Sequence, residues 1–248
     1  MTARTWREVP GVLHSWDLST GVDGPGTRFV AFLAGCPLRC LYCQNPDTWH
    51  IRDGDATNAG QVIDRAARYG PFTTRGGGLT LSGGEPLRQP EFAGALLTGA
   101  KEAGLHTALD TSGFLGARAS DALLSHTDLV LLDIKSWNPV TYKRVTGVEL
   151  EPTLAFAERV AGLGVPMWIR FVLVPGLTDA PENVAGLARF AAGLSTVERV
   201  DVLPFHRMGA AKYERLGIPF PLEDVAPPRS ELIARVREQF AAAGLVVS

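Results

Sequence analysis

The sequence predicts an α/β protein built on parallel strands with helices outside them, arranged as a barrel or a doubly wound sheet. Two observations carry that prediction. Strand-like and helix-like stretches alternate along the chain with no low-complexity linker and no internal repeat between them. The 248 residues, 46% hydrophobic and 20% charged, also supply ample apolar material for one large core.

In chain order, residues 1–27 read as irregular and end in Val22-Asp23-Gly24-Pro25-Gly26. Two glycines around a proline favour tight turns and close backbone approach. Residues 28–33 read as a buried strand, being short, apolar and rich in aromatic and branched side chains. Thr57 or Asn58 caps a helix that runs to about residue 69. Gly76-Gly77-Gly78 then breaks the chain before a strand over 79–81. A helix over about 91–103 ends at Gly104, and a strand over 106–110 follows. A short helix near 119–124 precedes a strand over 129–133, and a helix over 152–163 is closed by Gly164. A strand over 167–174 is broken by Pro175-Gly176, and Asp179 with Glu182 three residues on resembles a capping box. That helix runs to about 192. A strand over 197–203, a last long helix over about 228–243 and a short strand at 245–247 complete the chain.

The net charge of −2 leaves no electrostatic footprint for nucleic acid. No apolar run approaches the roughly 18 residues that span a bilayer. The first residues are basic but lead into Glu8, Pro10 and His14 rather than an apolar stretch, unlike a signal peptide. These features exclude nucleic-acid and membrane partners. Three clustered cysteines do not make a secreted disulfide framework and suit a reducing cytoplasm.

All three cysteines, Cys36, Cys40 and Cys43, fall within eight consecutive positions. Buried structural cysteines would be scattered; three thiolates on one loop converge on a metal. They are one ligand short of the four that close a zinc or ordinary cluster site. For zinc, His50 or His14 would supply the fourth. For a cluster, one iron stays open to a substrate or cofactor.

Chemistry-bearing residues follow the other strands too. Ser82-Gly83-Gly84-Glu85 follows the second and Asp110-Thr111-Ser112 the third. Asp133 and Lys135 follow the fourth, and His206 the sixth. In parallel barrels and sheets these positions share the end where active sites form.

Cys36-x3-Cys40-x2-Cys43, with Tyr42 before the last cysteine, resembles the signature of the radical S-adenosylmethionine (SAM) superfamily. The segments Val22-Asp23-Gly24-Pro25-Gly26, Leu41-Tyr42-Cys43-Gln44-Asn45, Ser82-Gly83-Gly84-Glu85, Leu131-Leu132-Asp133-Ile134-Lys135, residues 168–176 and residues 203–209 narrow the resemblance to its glycyl radical enzyme activases. The resemblance covers nearly the whole chain. It implies a partial (β/α)6 TIM-like barrel in a single domain over 1–248: an N-terminal segment 1–27, a barrel core 28–206 and a C-terminal extension 207–248. It implies a [4Fe–4S] cluster on Cys36, Cys40 and Cys43, with SAM chelating the fourth iron. Tyr42, Gln44, Gly83, Gly84, Asp133, Ile134, Lys135, Arg170 and His206 are then expected around SAM, Gly83-Gly84 at its amino group and Lys135 at its carboxylate. Asp110, with Thr111, is expected at a monovalent cation beside that carboxylate, and Asp23-Gly24-Pro25-Gly26 where the substrate glycine enters.

The activity implied is generation of a glycyl radical on a partner enzyme, with flavodoxin or ferredoxin as electron donor. Gln44 stands where many relatives carry histidine, and Pro86 follows the Gly-Gly-Glu element. Having three cysteines alone, the chain has none left for auxiliary clusters, which favours pyruvate formate-lyase as the partner. Two other readings stay open from the sequence: a radical SAM enzyme with a different substrate, and a non-catalytic zinc-binding module.

Overall fold

The computed structural model describes residues 5–73 and 77–248. The expected basic amino terminus up to residue 4 and the expected break at Gly76 lie outside the described residues. The protein is α/β with eight strands, mostly parallel to their neighbours. The chain divides into two compact units.

The first unit comprises Met1–Pro37, Thr48–Thr111 and Leu115–Leu131. Its strands are β1 (Pro10–Thr20), β2 (Thr27–Leu33), β3 (Asp55–Asn58), β4 (Gly78–Gly83) and β5 (His106–Thr111), followed by the start of β6 (Leu129–Asp133). Its helices are α1 (Ala59–Ala67), α2 (Gly70–Thr73), α3 (Pro90–Glu102) and α4 (Asp121–Ser125). β2, β4 and β5 lie side by side and parallel, with Arg28 opposite Gly78, and Gly78 opposite His106. Their carboxyl ends therefore share one edge. Phe29, Leu33, Leu79 and Leu81 are fully buried, as the continuous apolar runs of parallel strands require. Asn58 caps α1: its side chain accepts the Gln61 N–H while Gln61 reaches back to the Asn58 N–H.

Two strands were not expected. The segment read as irregular contains β1, eleven residues long, which pairs antiparallel with both β2 and β3. Leu13 alone in β1 is buried, so the strand shows no apolar alternation. β3 is the polar run Asp55-Ala56-Thr57-Asn58.

The second unit comprises Leu38–Asp47, Ser112–Phe114 and Leu132–Ser248. After the end of β6 come α5 (Pro139–Thr146), α6 (Glu151–Gly162), β7 (Met167–Leu173), α7 (Pro181–Ala192), β8 (Val197–Pro204), α8 (Ala210–Leu216) and α9 (Ser230–Ala242). β7 and β8 are parallel neighbours. α5 and α8 are further elements that the sequence reading passed over. The capping box at Asp179 does not form. Pro181 fixes the first turn of α7, so Ala180 is the cap and makes no side-chain cap bond; Asp179 instead accepts the Gly176 N–H at 2.8 Å. The expected last strand reduces to one parallel bridge between Val247 and Val200. No helix among the described residues is long and apolar enough to cross a membrane.

Candidate active site

In the first unit the site residues sit at the carboxyl edge of β2, β4 and β5. Chain leaving β2 continues as a backbone pair with the end of β4: the Gly84 N–H donates to Leu33 O and the Glu85 N–H to Gly35 O, both at 2.9 Å. A β-carbon on Gly83 would lie 2.5 Å from Leu33 N, and one on Gly84 2.5 Å from Gly35 O. Gly83 also holds φ +108°, in the region that favours glycine. Close approach to the cysteine-bearing chain thus accounts for both glycines. The Cys36 N–H donates to Trp49 O at 2.9 Å.

Glu85 is buried and acts as a brace. Its Oε1 accepts the Leu87 N–H at 3.1 Å and the Thr111 hydroxyl at 2.7 Å, tying the end of β4 to the end of β5. Ser82 Oγ donates to Asp110 Oδ2 at 2.6 Å along the same edge. Asp110 and Thr111 therefore stand together with Ser82, Gly83 and Glu85.

In the second unit the loop carrying Cys40 and Cys43 rests on α5. The last carbonyls of a helix have no intrahelical partner. Here Thr146 O accepts the Arg39 N–H at 2.8 Å and Val145 O the Leu41 N–H at 2.9 Å. α5 forms because Asn138 caps it, Pro139 opens it and Gly147, at φ +81°, ends it. Tyr142 anchors α5 from within: its hydroxyl lies 2.8 Å from Thr153 Oγ1, which donates to Ser112 O. The Cys43 N–H donates to Cys40 O at 3.1 Å, turning the chain between the two thiols.

Around this turn is a charged pair. Lys135 Nζ lies 2.9 Å from Asp133 Oδ2, with 11% and 21% of their side chains exposed. Lys135 also lies over the Tyr42 ring, 5.8 Å from its centroid. Burial opposes the Lys135 charge, but Asp133 together with the neighbouring Tyr42 and Cys40 outweighs it and holds the ammonium well above its usual range. Burial pushes the Cys40 thiol up to about 12, with Lys135 pulling the other way. It likewise raises the Tyr42 hydroxyl. Ile134 is fully buried and donates its N–H to Arg170 O at 3.2 Å. Gln44 Nε2 donates to His206 O at 3.2 Å and to Tyr42 O at 3.3 Å. Cys40, Tyr42, Asp133 and Lys135 thus form one cluster, and Gln44 with His206 a second contact.

The residues suit the expected ligands. Cys36, Cys40 and Cys43 form no disulfide and are each half-buried, and thiolates are the donors that iron–sulfur clusters take. Among the described residues no three His, Cys, Asp or Glu side chains already surround a single metal ion. Two buried polar atoms, Tyr42 Oη and Asp133 Oδ1, have no hydrogen-bond partner. Such atoms in a native site call for a bound group to complete them.

Three supporting residues escaped the sequence reading. Tyr142 and Lys212 are remote in sequence from what they hold: Lys212 Nζ donates to Asn45 Oδ1 at 2.8 Å and Asp47 Oδ1 at 3.1 Å, fixing the chain after Cys43. No local signal marks either. Arg28 is fully buried, and its position directly before an unbroken apolar run was the available signal.

Comparison with known proteins agrees with the sequence resemblance. The Radical SAM superfamily model matches residues 30–188, well over half of the chain. A pyruvate formate-lyase-activating enzyme of Streptococcus mutans is 43% identical over 94% of this chain and 92% of its own. One from Clostridium pasteurianum is 45% identical over 88% of this chain and 91% of its own. Among solved structures, a domain of a pyruvate-formate lyase-activating enzyme from Bacteroides vulgatus superposes with a TM-score of 0.57 at 26% identity, covering 70% of this chain and 98% of that one. The chain belongs to the radical SAM superfamily, among its pyruvate formate-lyase-activating enzymes.

Proposed function

We propose that this chain activates pyruvate formate-lyase by placing a radical on one of that enzyme's glycine residues, acting in the cytoplasm with flavodoxin or ferredoxin as electron donor. The observation that carries the reading is the 43% identity to a protein of that name over nearly the full length of both chains. It is supported by three cysteines, none in a disulfide, on the chain that follows β2.

When bound together, a [4Fe–4S] cluster and SAM supply the 5′-deoxyadenosyl radical that removes a hydrogen atom from the glycine α-carbon. The protein binds, orients and shields that chemistry. Cys36, Cys40 and Cys43 would hold the cluster. The Gly83-Gly84 turn would receive the SAM amino group, and Lys135 its carboxylate. Asp110 and Thr111 would complete a monovalent cation site, with Asp133 as a further anionic acceptor. Tyr42, Gln44, Ile134, Arg170 and His206 would line the rest of the SAM molecule.

The decisive trial is anaerobic co-incubation of the reduced, cluster-loaded protein with SAM and pyruvate formate-lyase, followed by electron paramagnetic resonance. A SAM-dependent glycyl doublet is expected; its absence, with SAM cleavage intact, rules this substrate out. A colourless preparation containing zinc and no iron would instead favour the binding-module reading.

A further inference from the structure

The short helix α8 meets different surroundings on its two sides. Tyr213 is buried against Phe220, with ring centroids 5.0 Å apart, and Phe220 stacks on Phe205 at 6.3 Å. This aromatic pack anchors the helix, and Gly217, at φ +66°, ends it. Ala211, Glu214 and Arg215 are exposed. Gly209 and Lys212 stand on the side of Tyr213, at the i, i+3, i+4 spacing of a single face.

That face runs along the chain that leaves Cys43, and three contacts follow in order. His206 O accepts the Gln44 side-chain amide at 3.2 Å. Gly209 passes so close that a β-carbon there would lie 2.8 Å from Gln44 Oε1 and 3.2 Å from Cys43 O. Lys212 Nζ donates to Asn45 Oδ1 at 2.8 Å and to Asp47 Oδ1 at 3.1 Å. One ammonium thus bridges two acceptors on either side of the buried Pro46. From the other direction, the Cys43 N–H is held by Cys40 O at 3.1 Å.

As a source of stability the bridge is weak. The Lys212 and Asp47 side chains are 29% and 23% exposed, and ion pairs open to water contribute little to folding. Ordering a lysine also costs rotamer freedom. An apolar side chain would cover the same ground. What it would not reproduce is a pair of directional bonds to the chain directly after a thiol of the candidate cluster site. Pro46 already fixes one backbone angle there, so the two bonds leave the segment little room to shift.

We infer that Lys212 is a positioning residue for Cys43: by holding Asn45 and Asp47 it sets the third cluster thiolate in place and ties it to the segment that carries His206. The inference rests on the proposed function, through its assignment of a cluster to these cysteines. Lys212 acts through the two side chains it holds.

The test uses the full-length protein, reconstituted anaerobically with iron and sulfide. Lys212→Met, Asp47→Ala and the double variant are compared with Asp47→Asn, which keeps an acceptor. Three quantities are read: the rate of iron loss to EDTA, the electron paramagnetic resonance of the dithionite-reduced cluster, and the Tm of the cluster-free protein. Lys212→Met and Asp47→Ala should each lose iron about five- to tenfold faster, the worth of one to two hydrogen bonds. Their reduced clusters should give broadened or multiple signals, because Cys43 then takes more than one position. The double variant should be no faster than the faster single one, since the two residues act as a unit. Asp47→Asn should stay within about twofold of the unsubstituted protein. The cluster-free Tm should fall by no more than about 4 °C in any of them, as for a partly exposed pair in a chain of this size. Iron loss within about twofold in Lys212→Met, additive effects in the double variant, or faster loss with a larger fall in Tm overturns the inference. If Lys212→Met does not fold, Asp47→Ala against Asp47→Asn decides. Failure of the functional reading shows separately, in an unsubstituted protein that takes up no iron and sulfide or that gives no glycyl radical.

Discussion

Replacing Gly84 with alanine tests whether the Ser82–Glu85 turn and the cysteine-bearing chain are one packed piece. The new β-carbon would lie 2.5 Å from Gly35 O, 2.8 Å from Gly35 C and 3.0 Å from Thr48 O. All three are backbone atoms that cannot rotate away, and the closest is roughly 1 Å inside an ordinary contact of about 3.5 Å. Overpacking of this kind costs about 1–3 kcal/mol. Separating the chains also strains the Glu85 N–H···O Gly35 bond, worth about 1 kcal/mol. The expected loss is therefore about 2–4 kcal/mol, or about 4–16 °C in Tm for a chain of this size. Gly94→Ala is the internal control, because a β-carbon there meets nothing nearer than Leu123 at 3.8 Å. In the interior of α3 that change should be neutral or stabilise by up to about 1 kcal/mol. Thermal unfolding of the cluster-free protein, followed by circular dichroism, measures both. Since Cys36 is the residue after Gly35, Gly84→Ala should also lower iron and sulfide retained per chain after anaerobic reconstitution. A Gly84→Ala protein within about 0.5 kcal/mol of Gly94→Ala would refute the packing argument.

Other expected outcomes follow from the same geometry. Serine at Cys36, Cys40 or Cys43 replaces a soft thiolate with a hard hydroxyl, so each variant should lose the brown colour and most bound iron, read by iron and sulfide assay. Lys135→Met strands a mostly buried Asp133 and should cost up to about 3–5 kcal/mol, less for the exposure that remains; adding Asp133→Asn should recover much of it in urea unfolding. Burial pushes the Asp128 carboxyl up, but its bonds from Lys101 and Thr107 outweigh that and leave it below the usual range. A depressed folded pKa means stability present above the unfolded value near 3.9 and lost as pH falls through the folded one. Asp128→Asn should therefore remove a small part of the stability change between about pH 5 and 2, and an unchanged acid limb would count against the pair.

What the sequence made legible follows from where its signals are local. Parallel strands buried on both faces read as apolar runs, so β2, β4, β5, β6, β7 and β8 stand where expected. β1 and β3 were missed because they add to the sheet with little burial: one residue of β1 is buried, and β3 is polar. α5 carried readable ends in Asn138, Pro139 and Gly147, but its interior, Val140-Thr141-Tyr142-Lys143-Arg144, shows no clear apolar stripe. The site residues were legible as strand-end chemistry. Their supports were not, because Lys212 and Arg28 act through partners separated from them by tens of residues and Tyr142 acts through Thr153, eleven residues on, which reaches Ser112 O. Arg28 is the instructive case. It falls in the run read as a buried strand, but no local signal shows the backbone carbonyls from three segments that fold around it.

The central claim is hydrogen abstraction from a glycine of the partner, and deuterium transfer measures it most directly. Pyruvate formate-lyase labelled with α-deuterated glycine would be activated anaerobically, and the 5′-deoxyadenosine released would be examined by mass spectrometry. The account predicts 5′-deoxyadenosine heavier by one deuterium, formed in step with the glycyl radical. Unlabelled 5′-deoxyadenosine accompanying a full glycyl signal would contradict it.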